Sequence, residues 1–572
     1  VKTRFPFVFL LGAVVGLWGL GWGLPSPARF RAFPMAMTPE VAAEFSDAWT
    51  KLYARIKQAH VELKGEPETY VHGVEEVAPG WTFPPPNLLN SFRALLLQST
   101  NPDEKKTFII LAQMHPRKLE LKPLYAQYGG AFVYSLGAFL ELGSILRAVT
   151  VVSDMGHYLQ HPEDMGRMYR WGRLYMILFS LATLWVIYDM GRRLGDEETG
   201  LWAAVFFCLS PIVVLNSHLI KPHPIGAFWC LAALRFTLLA LEKGQRRDYL
   251  LAGVCFGIGA GASSPFAAFS WLPLLAWLER RRQKKAGLRE FWSVVASGAI
   301  AGAMFFVTNP YLMIEPKDFL WDFTVYVPHG EARGGTVAGF LALMGRAWGS
   351  LGAALSSLVL AGLGLAAFRK ERAPRVVACV TLAMFAALWL LFGRFYTFGL
   401  NASGIHYYVP LFAPACLLAA LTLKRVPKPW RAVLLAVVLI DTGARGGAVL
   451  INMRAASGPR AAMNRAADWI EANVPAGSSV GLARYPEPSH TPPFRYDRYR
   501  LVIFAQPELV KPGAEPRYVV VDGEGRGAFG GWLESRYELL QAFEPAALGW
   551  ARVEDFPFYA NPAAYVFKLR SP

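Results

Sequence analysis

The chain has 572 residues, 54% of them hydrophobic and only 17% charged, with 18 Trp, 38 Phe and a formal net charge of +16. A water-soluble chain of this length would divide into several domains and need more charged surface to cover them, which excludes an ordinary cytosolic enzyme, and apolar residues running throughout without a short repeat exclude disorder and collagen-like order. The apolar residues bunch into stretches near the length of a bilayer crossing, with Lys and Arg mainly in the short linkers between them, so the positive charge orients a polytopic membrane protein and implies no nucleic acid.

The first apolar run, Phe5 to Leu24, follows Lys2 and Arg4. At roughly 20 residues it reads as an uncleaved span with a cytoplasmic amino end. Ten further spans are expected at Tyr169 to Met190, Gly200 to Ser217, Ile225 to Leu241, Tyr249 to Ala262, Pro265 to Leu278, Phe291 to Thr308, Ala347 to Phe368, Val376 to Phe392, Ile405 to Leu423 and Ala432 to Ile451. Tyr128 to Val152 is also apolar, and counting it as a crossing would reverse everything after it. If it does not cross, the linkers from Arg192 to Arg431 put about 19 basic residues inside against about four in the short outer loops, as the positive-inside rule requires. It is therefore read as a helix partly embedded in the outer leaflet.

The expected fold is all-α and polytopic, with about 11 spans. Residues 1–453 form the transmembrane domain, including a large first external loop at 25–168, and residues 454–572 form a small extracytoplasmic α/β domain. Within the loop, Pro39 to Lys64 places Val41, Phe45, Trp49, Leu52 and Ile56 at helical spacing, an amphipathic helix whose simplest role is packing. In the tail, Ala461 to Asn473 reads as a helix, and Ser479 to Ala483, Arg517 to Asp522, Tyr537 to Phe543 and Ala564 to Leu569 read as strands. The five cysteines, Cys208, Cys230, Cys255, Cys379 and Cys416, fall inside expected spans and imply neither a disulfide framework nor a cysteine metal site. Gly257, Gly259 and Gly261 lie in an apolar span, where they permit close helix packing rather than dinucleotide binding.

No P-loop, HExxH or GxSxG motif is present; the informative polar groups gather instead at the outer membrane face. Asp103-Glu104, after Asn101-Pro102, form an acidic pair opening a helix, an arrangement that also serves as a plain N-terminal cap. Lys122-Pro123, followed by Tyr128, Gly129 and Gly130, brings a cation to the embedded helix, where simple snorkelling is the alternative. Arg170 and Arg173 stand at the outer mouth of the second span; interfacial anchoring is the bland account, but Arg fits the outer side poorly unless it meets an anion. Asn216 to His223 is a short outer turn carrying His218, Lys221 and His223, which could equally be a solvated loop. Asn309-Pro310-Tyr311 and His406-Tyr407-Tyr408 would line the same face. Carboxylates and cations converging there suggest a base beside a bound anion.

The order of these motifs, Asp103-Glu104, Lys122-Pro123, Arg170 or Arg173, Gly200 to His223 with Pro211, Asn309-Pro310-Tyr311, and His406 to Pro410 with Pro414, resembles the GT-C polytopic glycosyltransferases. The resemblance is to the family 39-like branch of protein O-mannosyltransferases and aminoarabinose transferases, and runs from Asn101 to Lys424. It implies transfer of a sugar from a polyprenyl-phosphate donor to an acceptor hydroxyl, with inversion, at the extracytoplasmic face of the inner membrane. Asp103 would be the base, with Glu104 as an orienting or metal-binding partner, or the two in exchanged roles, and the pair would be where a divalent cation, Mg or Mn, binds if one is used. Lys122, Arg170, Arg173, His218 and Lys221 would meet the donor phosphate; Tyr128, His223, Asn309, Tyr311, His406 and Tyr407 would contact substrate. The acceptor is a protein, lipid or glycan. Many relatives carry Ser-Arg and a later Asp where this chain has Ser217-His218, Lys221 and His223, and roughly 75 residues are inserted before the acidic pair. The competing readings are a secondary transporter or lipid flippase, for which Arg235 and Asp441 are the main intramembrane charges, and a polysaccharide polymerase or ligase.

Overall fold

A computed structural model describes residues 4–59, 73–123, 128–317, 335–368, 371–392, 407–456, 458–546, 550 and 560–570. The chain opens with α1 (Phe5–Leu17), and the first long loop, expected to be external, carries α2 (Pro39–Ala59), β1 (Val74–Val77), α3 (Pro86–Leu97), α4 (Pro102–Ala112), α5 (Gly130–Ile145) and α6 (Met155–Gln160). The membrane helices follow as α7 (Pro162–Leu194), α8 (Glu197–Leu209), α9 (Pro211–Ser217), α10 (His223–Lys243), α11 (Arg246–Ala262), α12 (Leu272–Arg282) and α13 (Leu288–Thr308), with the short α14 (Tyr311–Ile314) after them. Beyond the next described stretch come α15 (Val337–Leu351), α16 (Ala353–Phe368), α17 (Arg372–Phe392), α18 (Val409–Leu423) and α19 (Lys428–Ala455).

Five of these helices are long and apolar enough to cross a membrane, and two bent pairs raise the number to seven. That count is of the described residues; three shorter apolar helices, Phe5–Leu17, Gly130–Ile145 and Val409–Leu423, stand beside it, against the expectation of about 11 spans. Residues Gly200 to Ser217 bend by 69° where Pro211 opens α9, because Pro lacks the N–H that would continue the preceding ladder. The span expected from Ala347 turns by 119° at Gly352, whose φ of 89° a side chain would resist. The segment expected to be partly embedded forms the 16-residue α5, about 24 Å long against a hydrocarbon core of about 30 Å. Close packing of the glycine-rich α11 on α13 is as expected: a Cβ at Gly257 would stand 2.4 Å from the Ala301 carbonyl oxygen.

Residues 454–546 and 560–570 carry α20 (Ala462–Asn473), β2 (Ser479–Leu482), β3 (Arg500–Phe504), β4 (Tyr518–Asp522), α21 (Gly523–Ala528), α22 (Gly530–Arg536), β5 (Tyr537–Phe543) and β6 (Ala564–Leu569). The sheet runs β1-β3-β2-β4-β6-β5, parallel at β3-β2-β4 and antiparallel elsewhere. The continuous apolar run of β4 is buried at every position, as a central strand covered on both faces requires. Two strands escaped the sequence reading, β3 and the edge strand β1. The latter belongs to the first long loop and pairs Val74 with Phe504 and Val77 with Leu501. Glu75 and Glu76 make it a charged edge, which discourages further strand addition.

The amphipathic α2 packs, as its spacing allows: Phe45 is fully buried against Phe33 and Phe83, and the Arg93 guanidinium lies 4.4 Å from the Trp49 ring. The loop and the tail share one apolar core, in which Phe92 meets Tyr496 at 5.9 Å. Arg31 ties them again, forming an ion pair with Asp468 and donating to the carbonyls of Asn464 and Pro493.

Candidate functional site

Helix α4 begins where Asn101 accepts a hydrogen bond from the Asp103 backbone N–H at 3.0 Å and Pro102 fills the first turn, where its missing N–H costs nothing. Because Asn101 performs the capping, the Asp103 carboxylate is left for another partner. It forms an ion pair with Lys221, whose side chain is 6% exposed against 26% for Asp103.

The chain holds these two residues together through α4. Both backbone groups of Ile220, one residue before Lys221, are bound by it: the N–H donates to Glu104 Oε1 at 3.1 Å, and the carbonyl accepts from Thr107 Oγ1 at 3.1 Å. Glu104, fully buried, also accepts from Arg173 Nε (2.9 Å), Arg173 Nη2 (2.7 Å) and Ser99 Oγ (2.6 Å). Arg173 Nη1 donates to the carbonyls of Leu20 and Trp22, and the guanidinium stacks 4.7 Å from the Trp22 ring. The pair thus fastens α1's exit, α4, α7 and the outer turn at one point.

This geometry revises several expected roles. Arg173 is fully buried, with Nε and Nη2 on Glu104 and Nη1 on two carbonyls, a placement that suits holding the turn better than contact with a donor phosphate. Glu104 has both oxygens occupied twice over and cannot join Asp103 around a metal without dismantling the pair. Cations surrounding Asp103 make the position still less suited to Mg or Mn. His218 is fully buried, its ring nitrogens 2.7 Å from the Val214 carbonyl and 2.9 Å from that of Trp18, a structural placement. Arg170 opens instead into a separate cleft of about 410 Å³ between the first loop and the tail, also lined by Arg31 and Asp468. Lys122 forms an ion pair with Glu315.

Four of the expected residues do gather around Asp103. Lys221 touches it, and His223 acts on it electrostatically and packs edge-on to Tyr407 with ring centroids 4.8 Å apart. Tyr128 and Tyr407 both lie within electrostatic reach of the carboxylate. Lys106, which the sequence reading missed, acts on Asp103 as well. Its signal was the three-residue spacing from Asp103, which puts both on one helix face. His406 lies outside the described residues.

Asn309 and Tyr311 serve the site as clamps. Asn309 Oδ1 accepts from the Gly130 N–H at 2.7 Å, and the Tyr311 hydroxyl accepts from the Leu121 N–H at 3.1 Å, so the two ends of the segment carrying Lys122 and Tyr128 hang from the end of α13 and from α14. Replacing Tyr311 by Phe removes one such bond and is expected to cost about 1 kcal/mol. Faster amide hydrogen exchange at Leu121, whose N–H makes that bond, would register it; an unchanged exchange rate would show the clamp to be dispensable.

Burial pushes the Asp103 carboxyl up, but Lys221, Lys106 and His223 outweigh it and hold the group at about 2, against an ordinary 3.8. A carboxyl lowered by folding stabilises the fold above its unfolded value and loses that contribution as pH falls through the folded value. Here that window is roughly pH 4 to 2, and the contribution is about 2 kcal/mol. Between those values the unfolding midpoint of the wild type should drop more steeply than that of Asp103→Asn; parallel curves would refute the pairing.

The intramembrane charges that would serve a transporter are used structurally. Arg235 Nε donates to Asp189 at 2.7 Å within a cluster that includes Arg192 and Arg193. Asp441 accepts from Arg445 at 3.0 Å and from the Ala354 N–H at 3.0 Å, capping α16 after the Gly352 corner.

Among known proteins, residues 166–311 match the family described as dolichyl-phosphate-mannose-protein mannosyltransferase. The resemblance to the GT-C polytopic glycosyltransferases drawn from the motif order is thus shared by a family model over the segment from Arg170 to Tyr311, and Asp103 lies outside that segment. Searching curated proteins gives no match. Similar solved structures include ArnT from Cupriavidus metallidurans bound to undecaprenyl phosphate, 13% identical with a TM-score of 0.46 over 82% of this chain and 93% of that one. Another is the oligosaccharyltransferase AglB from Archaeoglobus fulgidus in complex with an inhibitory peptide and a dolichol-phosphate, 14% identical with a TM-score of 0.39 over 78% and 70%. The mycobacterial arabinofuranosyltransferase AftD is 17% identical with a TM-score of 0.37 over 78% and 37%.

Proposed function

We propose that this multi-pass membrane protein is a glycosyltransferase that moves a sugar from a polyprenyl-phosphate donor to an acceptor hydroxyl, with inversion, at the extracytoplasmic face. The observation that carries the reading is the Asp103–Lys221 pair, held between a loop helix and the turn joining two membrane helices, with Lys106, His223, Tyr128 and Tyr407 around it. One carboxylate among several cations matches a reaction in which an acceptor hydroxyl is deprotonated and a phosphate leaves.

A carboxylate held at about 2 is a weak base while Lys221 remains on it. An arriving lipid phosphate competes for the Lys221 ammonium, and the released Asp103 becomes more basic as it loses its counter-charge. Donor binding and base activation are then one event. Asp103 takes the hydroxyl proton, the acceptor oxygen bonds to the anomeric carbon, and the bond to the lipid phosphate breaks with its electrons going to the phosphate oxygen. Lys221 and Lys106 meet that charge, while Glu104 and Arg173 keep the turn in register.

The test is reconstitution in liposomes containing extracted polyprenyl-phosphate sugars, with mass spectrometry of the lipid fraction. Consumption of a lipid-linked sugar and release of its free polyprenyl phosphate are expected. Movement of intact donor between leaflets without its consumption would replace this reading with a flippase. Lys221→Gln is expected to raise KM for the donor at least tenfold, and Lys221→Arg to restore part of the loss; equal KM values would remove Lys221 from the phosphate site.

A further inference from the structure

The far ends of α10, α12 and α17 enclose a cavity of about 520 Å³ that the reaction does not use. Its walls are apolar, built from Leu234, Leu238 and Leu241 of α10, Leu272 and Leu275 of α12, and Val380 of α17. Its mouth is basic: among the described residues that line it, Arg282, Lys285, Arg372 and Arg375 stand against a single acid, Glu279. That acid is already taken, accepting from Arg282 at 2.8 and 2.9 Å and from Gln283 at 2.7 Å. Four cations against one acid leave an excess of three positive charges over an apolar trough. A second cavity of about 270 Å³, between α7, α10 and α17, shares Leu238, Leu241, Arg372 and Val376 with the first, so the apolar space continues sideways.

The position is remote from Asp103. Helix α10 starts at His223 beside the reacting groups, and Leu234 to Leu241 lie 11 to 18 residues further on, about 17–27 Å along the axis. That distance approaches the thickness of the hydrocarbon core, about 30 Å. α10 stops after Lys243 with Gly244 at φ 67°, α12 stops at Arg282, and α17 starts at Arg372, so three helix ends and their cations share one interfacial level. The trough reaches the lipid-facing surface at Leu278, which lines it and is 45% exposed.

We infer that this cavity is a binding site for an anionic phospholipid of the leaflet opposite the Asp103 site, acyl chain in the trough and phosphate between Lys285, Arg372 and Arg375. The two halves of the cavity select this occupant. A soluble anion has no use for the leucine walls, and a zwitterionic lipid brings no net charge to answer the excess at the mouth. Bound lipid would fill the space beside three helix ends that Arg280 and Arg372 already join at the Leu241 carbonyl.

The full-length protein, delipidated in neutral detergent, is titrated with dioleoylphosphatidylglycerol, with dioleoylphosphatidylcholine or with soluble glycerol phosphate, following thermal unfolding and, by native mass spectrometry, bound lipid. A raised Tm with phosphatidylglycerol alone is expected for the wild type and for the control R289Q/K428Q, whose exposed cations lie outside the cavity. The triple variant K285Q/R372Q/R375Q should bind phosphatidylglycerol at least tenfold more weakly, with lipid-free Tm and sugar transfer unchanged. Should the triple variant misfold, Leu238→Trp, which fills the trough while keeping every cation, should abolish the lipid-dependent shift. Undiminished binding by the variant tested overturns the site. An equal response to phosphatidylcholine reduces it to an apolar gap, and an equal response to glycerol phosphate reduces it to a surface anion site; either result overturns the proposal.

Discussion

Replacing Asp103 by Asn is expected to lower sugar transfer by about 10²–10⁴-fold, the usual range for losing a general base, while donor binding is kept or tightened. The separation follows from the ion pair. In the wild type the donor phosphate must draw Lys221 away from Asp103; in the variant the ammonium is already released, so phosphate meets a cation with no competitor. Asn keeps the size of the side chain, and the helix cap is untouched because Asn101 supplies it. Isothermal titration with polyprenyl phosphate, alongside turnover by mass spectrometry, reads both quantities. Full activity in Asp103→Asn ends the catalytic assignment, and a parallel loss of binding ends the competition for Lys221.

Glu104→Gln or Arg173→Met should instead unfold the outer half of the molecule, costing about 3–5 kcal/mol, because each leaves a buried charge without its counter-charge. In the first case Gln keeps only one of the two oxygens, so two of the four donors on Glu104 lose their acceptor, and in the second the carbonyls of Leu20 and Trp22 lose their donor. The double variant Glu104→Leu with Arg173→Met removes both charges, and its stability should recover most of the loss while its activity does not, because the Ile220 turn is no longer held in register with Asp103. Thermal denaturation of the single and double variants decides this. If Arg173→Met is as stable as the wild type and fails only in donor binding, the guanidinium is a phosphate ligand after all and the positioning role is wrong.

These two variants separate residues that are adjacent in sequence and equally acidic. Asp103 and Glu104 are consecutive in the first turn of α4, and nothing in a pair of neighbouring carboxylates says which is solvated. On a helix, consecutive positions point about 100° apart, so one faced the outer turn while the other was driven into α7 and met Arg173. The same ambiguity affected the cations. Lys221 and His218 lie three residues apart in one turn, yet one reaches Asp103 and the other lies between backbone carbonyls.

Composition and hydropathy by themselves pointed to a chain with many membrane-length apolar stretches, the positions of most helices and four of the tail's strands, because these depend on local apolar periods and on turn residues; the resemblance to the GT-C enzymes came separately, from the order of motifs. Only the tertiary structure decided that β1 of the first loop completes the tail's sheet, that two spans are bent at Pro211 and Gly352, and which of several neighbouring polar groups face the reacting carboxylate. Such choices are made by contacts between residues up to hundreds of positions apart: Val74 pairs with Phe504, and Glu104 with Arg173. The energy of those contacts depends on how completely each group is removed from water, a property no local segment possesses before the chain has closed around it.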